Sequence, residues 1–317
     1  MSPRIVFLGS PEAAVPSLRA AVRIGEVAAV LSQPDRPAGR GRQCCPPPVA
    51  VAARELGLAV HQPPGVRKPE VRALLDALRP DVLLVVAYGR ILPPAILEAA
   101  PRGCVNVHFS LLPRHRGAAP VAHAILAGDE RTGVTLMRLD EGLDTGPVFA
   151  QRETAIGPEE TAGELTARLA VLGAEMVEAE LPRWVAGEIE ARPQPAEGAT
   201  LAPPLDKCDG AISWDRPALE VHRRIRAVTP WPGAFGYLEG RRIIVHRARL
   251  LPHVASPGPG AVLVQGRRFV VGAADTCLEL LEVQREGGKR VDAGCFLAGC
   301  CPEPGARVCP EPPARGG

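Results

Sequence analysis

The chain has 317 residues, 46% of them hydrophobic, and a formal net charge of +2, so it is long and apolar enough for two packed domains. A charge this close to neutral excludes a uniformly basic nucleic-acid binder, and any RNA partner has to be met by local arginine clusters. Nine cysteines, an odd number with no C-x-x-C pair, lack zinc-finger spacing and argue against a disulfide framework. Met1-Ser2-Pro3-Arg4-Ile5 reads directly into a strand and no apolar run approaches a membrane span. The expectation is a cytoplasmic, monomeric protein with reduced thiols and no membrane partner.

In chain order, Arg4 to Pro11 reads as a buried strand ending in a glycine turn, and Pro16 to Ile24 as an amphipathic helix. Gly9-Ser10-Pro11 is not a G-x-G-x-x-G fingerprint, which argues against a nicotinamide cofactor. Glu26 to Leu31 is a second strand. The stretch from Gln33 to Pro48, containing R-P-A-G-R-G-R with Arg40 and Arg42, is long for a strand-to-helix connection. Pro48 to Leu56 is helical, Leu58 to His61 extended, Glu70 to Leu78 helical, and Asp81 to Ala87 an apolar strand covered on both faces. This alternation predicts a Rossmann-like, mostly parallel α/β sheet with right-handed crossovers, binding its ligand beyond the carboxyl ends of the strands.

Cys104 to His108 is a short strand with Asn106 and His108 two residues apart, hence on one face. The pair joins an amide donor to an imidazole that titrates near neutrality. Leu111-Leu112-Pro113 turns the chain, and Arg114-His115-Arg116-Gly117 adds cations before the apolar run Ala118 to Leu126. An amide, an imidazole and cations at a strand end suit a reaction that passes through an oxyanion. A lone N-x-H also finishes many ordinary strands. After the strand-like Gly133 to Met137 comes an acidic loop, Leu139 to Pro147, in which Asp144 is the candidate to orient His108 and stabilise its imidazolium. Alone, that loop reads as a surface turn or, lacking a closing glutamate, a poor calcium loop; no metal is expected. Cys104 reads as a core thiol.

Thr161 to Val185 is a long helix whose Thr161 and Glu164 form a capping-box pattern. Gly187 to Asp209 is rich in proline and charge, without an apolar period. From Gly210 on, one helix (Ala218 to Ala227) precedes short β-like runs at Gly236–Leu238, Arg242–His246, Gly260–Val264, Arg268–Gly272 and Cys277–Leu281, a small-barrel pattern. Its first half holds Arg223, Arg224, Arg226, Arg241, Arg242, Arg247 and Arg249, readable as a solvated face or as a surface that follows phosphates.

Two motifs in one chain and in this order, S-L-L-P-R-H-R-G-A-A-P from Ser110 to Pro120 and D-E-G-L-D-T-G from Asp140 to Gly146, resemble the folate-dependent formyltransferase family. The resemblance extends to the basic loop and to T-P-W-P-G-A at Thr229 to Ala234. The proline-rich composition predicts a linker over 189–209 and a poorly ordered tail over 301–317, and the resemblance implies a catalytic domain over residues 1–188 and an open β-barrel of the oligonucleotide-binding type over 210–300. It implies catalysis by Asn106, His108 and Asp144. It places folate against Tyr88, Gly89, Ile91, Leu92, Ser110, Leu111, Leu112, Pro113 and Asp140. The implied donor is 10-formyltetrahydrofolate and the implied acceptor methionyl initiator tRNA, met by Arg40, Arg42, Arg223, Arg224, Arg241 and Arg242. The basic loop and the R-G-A-A-P form favour the tRNA acceptor over a small amine of the amino-sugar or glycinamide type, and over formyltetrahydrofolate hydrolysis.

Overall fold

The computed structural model describes residues 2–38, 43–300 and 302–311. Two compact units result, one from residues 1–120, 131–155 and 166–203, the other from 121–130, 156–165 and 204–317.

The first unit begins with β1 (Arg4–Gly9), α1 (Val15–Ile24), β2 (Glu26–Leu31), the short hairpin β3 (Arg36–Ala38) and β4 (Gln43–Cys45), then α2 (Pro48–Glu55) and β5 (Val60–His61). It continues with α3 (Pro69–Leu78), β6 (Val82–Val86), a single turn α4 (Pro94–Leu97) and β7 (Cys104–His108). After α5 (Pro120–Ala127), which belongs to the second unit from Val121 on, come β8 (Arg131–Arg138), β9 (Val148–Ala155) and the long α6 (Ala162–Ala186), which is part of the first unit from Thr166 on. The seven-stranded sheet has the order β5-β2-β1-β6-β7-β8-β9. Its first five strands are parallel, and β8 and β9 complete it antiparallel. β1 and β6 are β-branched and leucine-rich, as a strand buried on both faces must be. Val6, Leu8, Leu83 and Val85 on one side close over Val71, Leu75 and Ile96. α6 begins with the expected capping box. Glu164 Oε2 accepts from the Thr161 amide (2.9 Å) and hydroxyl (2.8 Å), and Thr161 Oγ1 accepts from the Glu164 amide (3.3 Å). At its other end Trp184 stacks on Phe149 at 4.6 Å and donates to the Arg102 carbonyl.

Residues 189–203, expected as an interdomain linker, run along the first unit as a hydrogen-bonded strap. Arg192 exchanges both backbone bonds with Val148 (2.7 and 2.8 Å), and Ala202 donates to the Arg116 carbonyl at 2.7 Å. Pro193 and Pro195 removed any periodic signal from this stretch, yet their neighbours retain free amides and find partners.

The second unit contains α7 (Ala218–Ala227), β10 (Ala234–Leu238), β11 (Arg241–Leu251), β12 (Val262–Gln265), β13 (Arg268–Gly272), β14 (Cys277–Arg285), β15 (Arg290–Asp292), α8 (Ala293–Ala298) and β16 (Val308–Cys309). Its sheet is antiparallel with the order β12-β13-β14-β11-β10-β16, and β15 also pairs with β14. The two edges meet: Val308 N donates to Gly260 O at 2.8 Å and Val262 N to Ala306 O at 3.0 Å, so the sheet curls into a small barrel. Its core holds Trp214, Val221, Ile225, Ile243, Val245, Phe269, Leu278, Leu280, Phe296 and Val308. β11 runs five residues past the strand expected to end at His246. A register shift around Arg247 moves the buried positions from Ile243 and Val245 to Ala248, and this bulge breaks the period-two pattern that sequence reading depends on. β16 lies within the expected disordered tail. Val308 is almost fully buried there, its neighbours being too few to register as a strand in sequence.

Candidate active site

β7 is made by Val105 and Val107, both buried, between Leu83–Val85 of β6 and Leu136–Arg138 of β8. The alternate positions leave Asn106 half-buried and His108 buried, and both line one cavity of about 500 Å3. Asn106 forms no side-chain hydrogen bond among the described residues, so its amide is available to a ligand. Cys104 begins the same strand. Its thiol faces the Ile96 carbonyl at 3.5 Å, and burial pushes its pKa up to about 12, which makes it an inert core group.

His108 Nε2 donates to the His115 carbonyl at 3.0 Å. A carbonyl only accepts, so the neutral ring carries its proton on Nε2 and keeps the Nδ1 lone pair free. Asp144 Oδ2 lies 3.7 Å from that Nδ1, an ion-pair distance rather than a hydrogen bond, and accepts from the Gly117 amide at 2.9 Å. Burial lowers the His108 pKa, the Asp144 carboxylate and the His115 carbonyl raise it, and the His115 imidazole lowers it; the net direction is down. The resting ring is therefore neutral at pH 7, with a carboxylate waiting beside the nitrogen that can take a proton.

Asp144 reaches this position by an indirect route. Because β8 is antiparallel to β7, the acidic loop leaves beside Cys104, where Leu139 N donates to Cys104 O at 2.8 Å. His108 is about 13 Å further along the strand, a span the loop covers easily. Asp140 Oδ1 folds the loop by accepting from the Gly142 amide (3.0 Å) and the Thr145 hydroxyl (2.8 Å). Gly146 is required because a Cβ there would stand 1.9 Å from the Arg138 carbonyl oxygen. Asp144 itself sits at φ 52, a left-handed conformation that only surrounding bonds can hold.

The other wall follows β6. Tyr88, Gly89, Arg90, Ile91 and Leu92 line the cavity with Asp140 to Asp144. Gln33 fixes this wall by donating to the Tyr88 carbonyl (3.1 Å) and accepting from Arg90 Nε (3.0 Å). Ile91 and Leu143 are exposed apolar side chains at its rim. Ser110, Leu111, Leu112 and Pro113 are not among the lining residues. The Ser110 hydroxyl donates to the Arg114 carbonyl at 2.7 Å, and Thr135 and Gln151 bond the Ser110 and Leu112 carbonyls. Gln33, Thr135, Gln151 and Gln194 are residues the sequence reading missed. Each acts through backbone carbonyls far away in the chain, which leave no local signal.

The arginines singled out for RNA are distributed unevenly. Arg40 and Arg42 lie outside the described residues. Arg224 donates to the Asp209 carbonyl at 3.0 Å, and Arg242 stands 4.0 Å over the Phe235 ring. Arg247 pairs with Glu164 and Arg249 with Glu279, while Arg226 donates to the Gly157 and Glu160 carbonyls. Arg223 is half-buried, and Arg241 is exposed with no side-chain partner among the described residues. No three His, Cys, Asp or Glu side chains cluster as a metal site among the described residues, and no helix there is long and apolar enough to cross a membrane.

The profile of the formyl transferase family matches residues 4–180 and that of the formyl transferase C-terminal domain residues 204–300. The chain belongs to this family. It is 48% identical to the methionyl-tRNA formyltransferase of Myxococcus xanthus over 96% of this chain and 97% of that one. Among solved structures, HypX from Aquifex aeolicus in complex with tetrahydrofolic acid superposes with a TM-score of 0.64 at 17% identity, covering 94% of this chain and 47% of that chain. The methionyl-tRNA formyltransferase from Clostridium thermocellum gives 0.54 at 17% identity, over 79% of this chain and 95% of that one. These superpositions match the fold: a parallel-rich sheet followed by a curled antiparallel one.

Proposed function

We propose that this enzyme transfers the formyl group of 10-formyltetrahydrofolate to the α-amine of methionine esterified to initiator tRNA, for translation initiation in the cytoplasm. The observation that carries the chemistry is the Asn106 amide, without a side-chain partner among the described residues, beside the His108–Asp144 pair in one cavity. The acceptor is inferred from the 48% identity to a methionyl-tRNA formyltransferase across nearly the whole of both chains.

The uncharged amine attacks the formyl carbon, and the carbonyl oxygen becomes an oxyanion that accepts from the Asn106 amide. A new C–N bond has formed and the nitrogen now carries a surplus proton. His108 takes that proton on Nδ1, because Nε2 already holds one against the His115 carbonyl. The imidazolium is stabilised by Asp144 and returns the proton to the folate nitrogen as the bond from the formyl carbon breaks. The ring thus supplies its second oxyanion donor only after protonation. The wall from Tyr88 to Leu92, with Asp140, is the proposed folate contact. Ser110 to Pro113, next to Phe109 of the cavity lining and bonded to Thr135 and Gln151, remain proposed folate-side residues of the same loop.

The deciding experiment compares charged initiator tRNA with small free amines as acceptors, using the purified chain and 10-formyltetrahydrofolate. Formylation of the charged tRNA at a far higher kcat/KM supports the proposal. Equal or better transfer to a small amine overturns the acceptor assignment.

A further inference from the structure

The strap that follows α6 has a role beyond connection. Its Gln194 uses all its bonding capacity on the site: Nε2 donates to the carbonyls of Asp144 and Gly146, both at 2.8 Å. Its Oε1 accepts from Arg116 Nε at 3.1 Å and Arg116 Nη2 at 2.8 Å. One amide therefore joins the acidic loop to the loop that follows β7. Six residues on, Thr200 Oγ1 accepts from the His115 amide at 2.8 Å, and Thr200 O accepts from the Arg116 amide at 2.8 Å. His115 is the residue whose carbonyl receives His108 Nε2, and it too has a positive φ, 59°. Gly117, which donates to Asp144 Oδ2, has φ 123, and a Cβ there would lie 2.6 Å from the Ala202 carbonyl oxygen. The strap thus contacts the supports of the His108 ring and of the Asp144 carboxylate, and His115 and Asp144 are both non-glycine residues held at positive φ.

We propose that Gln194 is a positioning residue for Asp144, and that the strap from Arg192 to Ala202 holds the Asp144 carboxylate and the His108 ring in register. The claim rests on the functional reading for its kinetic consequence only. Release of the two carbonyls lets Asp144 leave its left-handed conformation, and its carboxylate withdraws from Nδ1. Misplacement of a catalytic group by about 1 Å costs on the order of a hundredfold in rate. Gln194 touches neither the cavity nor a reacting atom, so the loss should fall on kcat.

The test uses the full chain with two substitutions. Gln194→Met keeps the side-chain length and removes both donors. Gln194→Glu keeps a partner for Arg116, and so the strap's attachment, while presenting an acceptor to two carbonyls. Both should lower kcat for formyl transfer at least about tenfold, with KM for the folate donor within about twofold of wild type. The second readout needs no substrate: the imidazole titration of His108, followed by NMR and assigned by its loss in His108→Asn. The charges facing His108 are Asp144, which raises its pKa, and His115, which lowers it. In Gln194→Met the titration should move to lower pH, because the raising charge has withdrawn. A wild-type His108 titration in Gln194→Met, or wild-type kcat in Gln194→Glu, overturns the proposal. The titration tests the geometry whatever acceptor the enzyme proves to use.

Discussion

At the scale of single residues, the chemistry turns on which nitrogen of His108 is free. The His115 carbonyl fixes the proton on Nε2, and the Asp144 carboxylate beside Nδ1 opposes the downward push of burial on the ring. Asp144→Asn keeps an acceptor for the Gly117 amide but removes the charge. The His108 titration should then fall further, the acidic limb of the kcat profile should move to lower pH with it, and the plateau should drop because the imidazolium loses its partner. An NMR titration with a pH–rate profile checks both. An unchanged profile at near-normal rate would make Asp144 a loop residue. The lowered pKa also has a consequence for stability. Between the folded value and the unfolded value of about 6.5, the unfolded chain binds the proton and the folded one does not. This group's contribution is therefore complete above about pH 6.5 and is lost as pH falls through the folded value. That Asn106, His108 and Asp144 would share one cavity was legible in sequence because motif spacing and side-chain chemistry coincide. The partners that hold them were not: Gln194, Thr200 and Gln33 act through bonds to main-chain groups 48 to 85 residues away in the chain.

At the scale of elements, what could be read was what repeats locally. α1, α2, α3, α6 and α7 match their amphipathic patterns to within a residue or two, and β1, β2 and β6 their apolar runs. The capping box at α6 was legible because it needs only Thr161 and Glu164 three residues apart. Its bonds, together with the Arg247 guanidinium, hold the Glu164 carboxyl below the usual range, the Thr161 amide contributing most. Thr161→Ala should lower stability by about 1 kcal/mol, read as an earlier urea midpoint. No shift in the midpoint would mean that α6 is held by packing alone. β15 and β16 have three and two residues, too short to be read from sequence, and the bulge in β11 hid the part of that strand beyond His246. The strap was invisible for a different reason: its two prolines and lack of apolar period are also the signature of a free linker.

At the scale of the whole molecule, two units carry two kinds of side chain: a cavity lined by Asn106, His108 and Asp144, and a barrel with arginines on its strands. The ion pairs of Arg224, Arg247 and Arg249 make those side chains part of the second unit's own structure, whereas Arg241 is exposed and unpartnered among the described residues. Arg241→Ala should therefore weaken tRNA binding and reduce the slope of log K against log salt by about 0.7 to 0.9, with little change in unfolding midpoint. Arg224→Ala should shift the midpoint more than the slope. The reverse pattern would move the RNA surface to another face of the barrel.

The central claim is that the Asn106 amide receives the oxyanion of formyl transfer to charged tRNA. The most direct measurement is single-turnover formylation of methionyl initiator tRNA by the wild-type chain and by Asn106→Ala, with folate affinity measured in parallel. The wild type should yield formylmethionyl-tRNA, and the variant should react roughly a hundredfold or more slowly, with folate binding intact. A variant that retains more than about a tenth of the wild-type rate would contradict it.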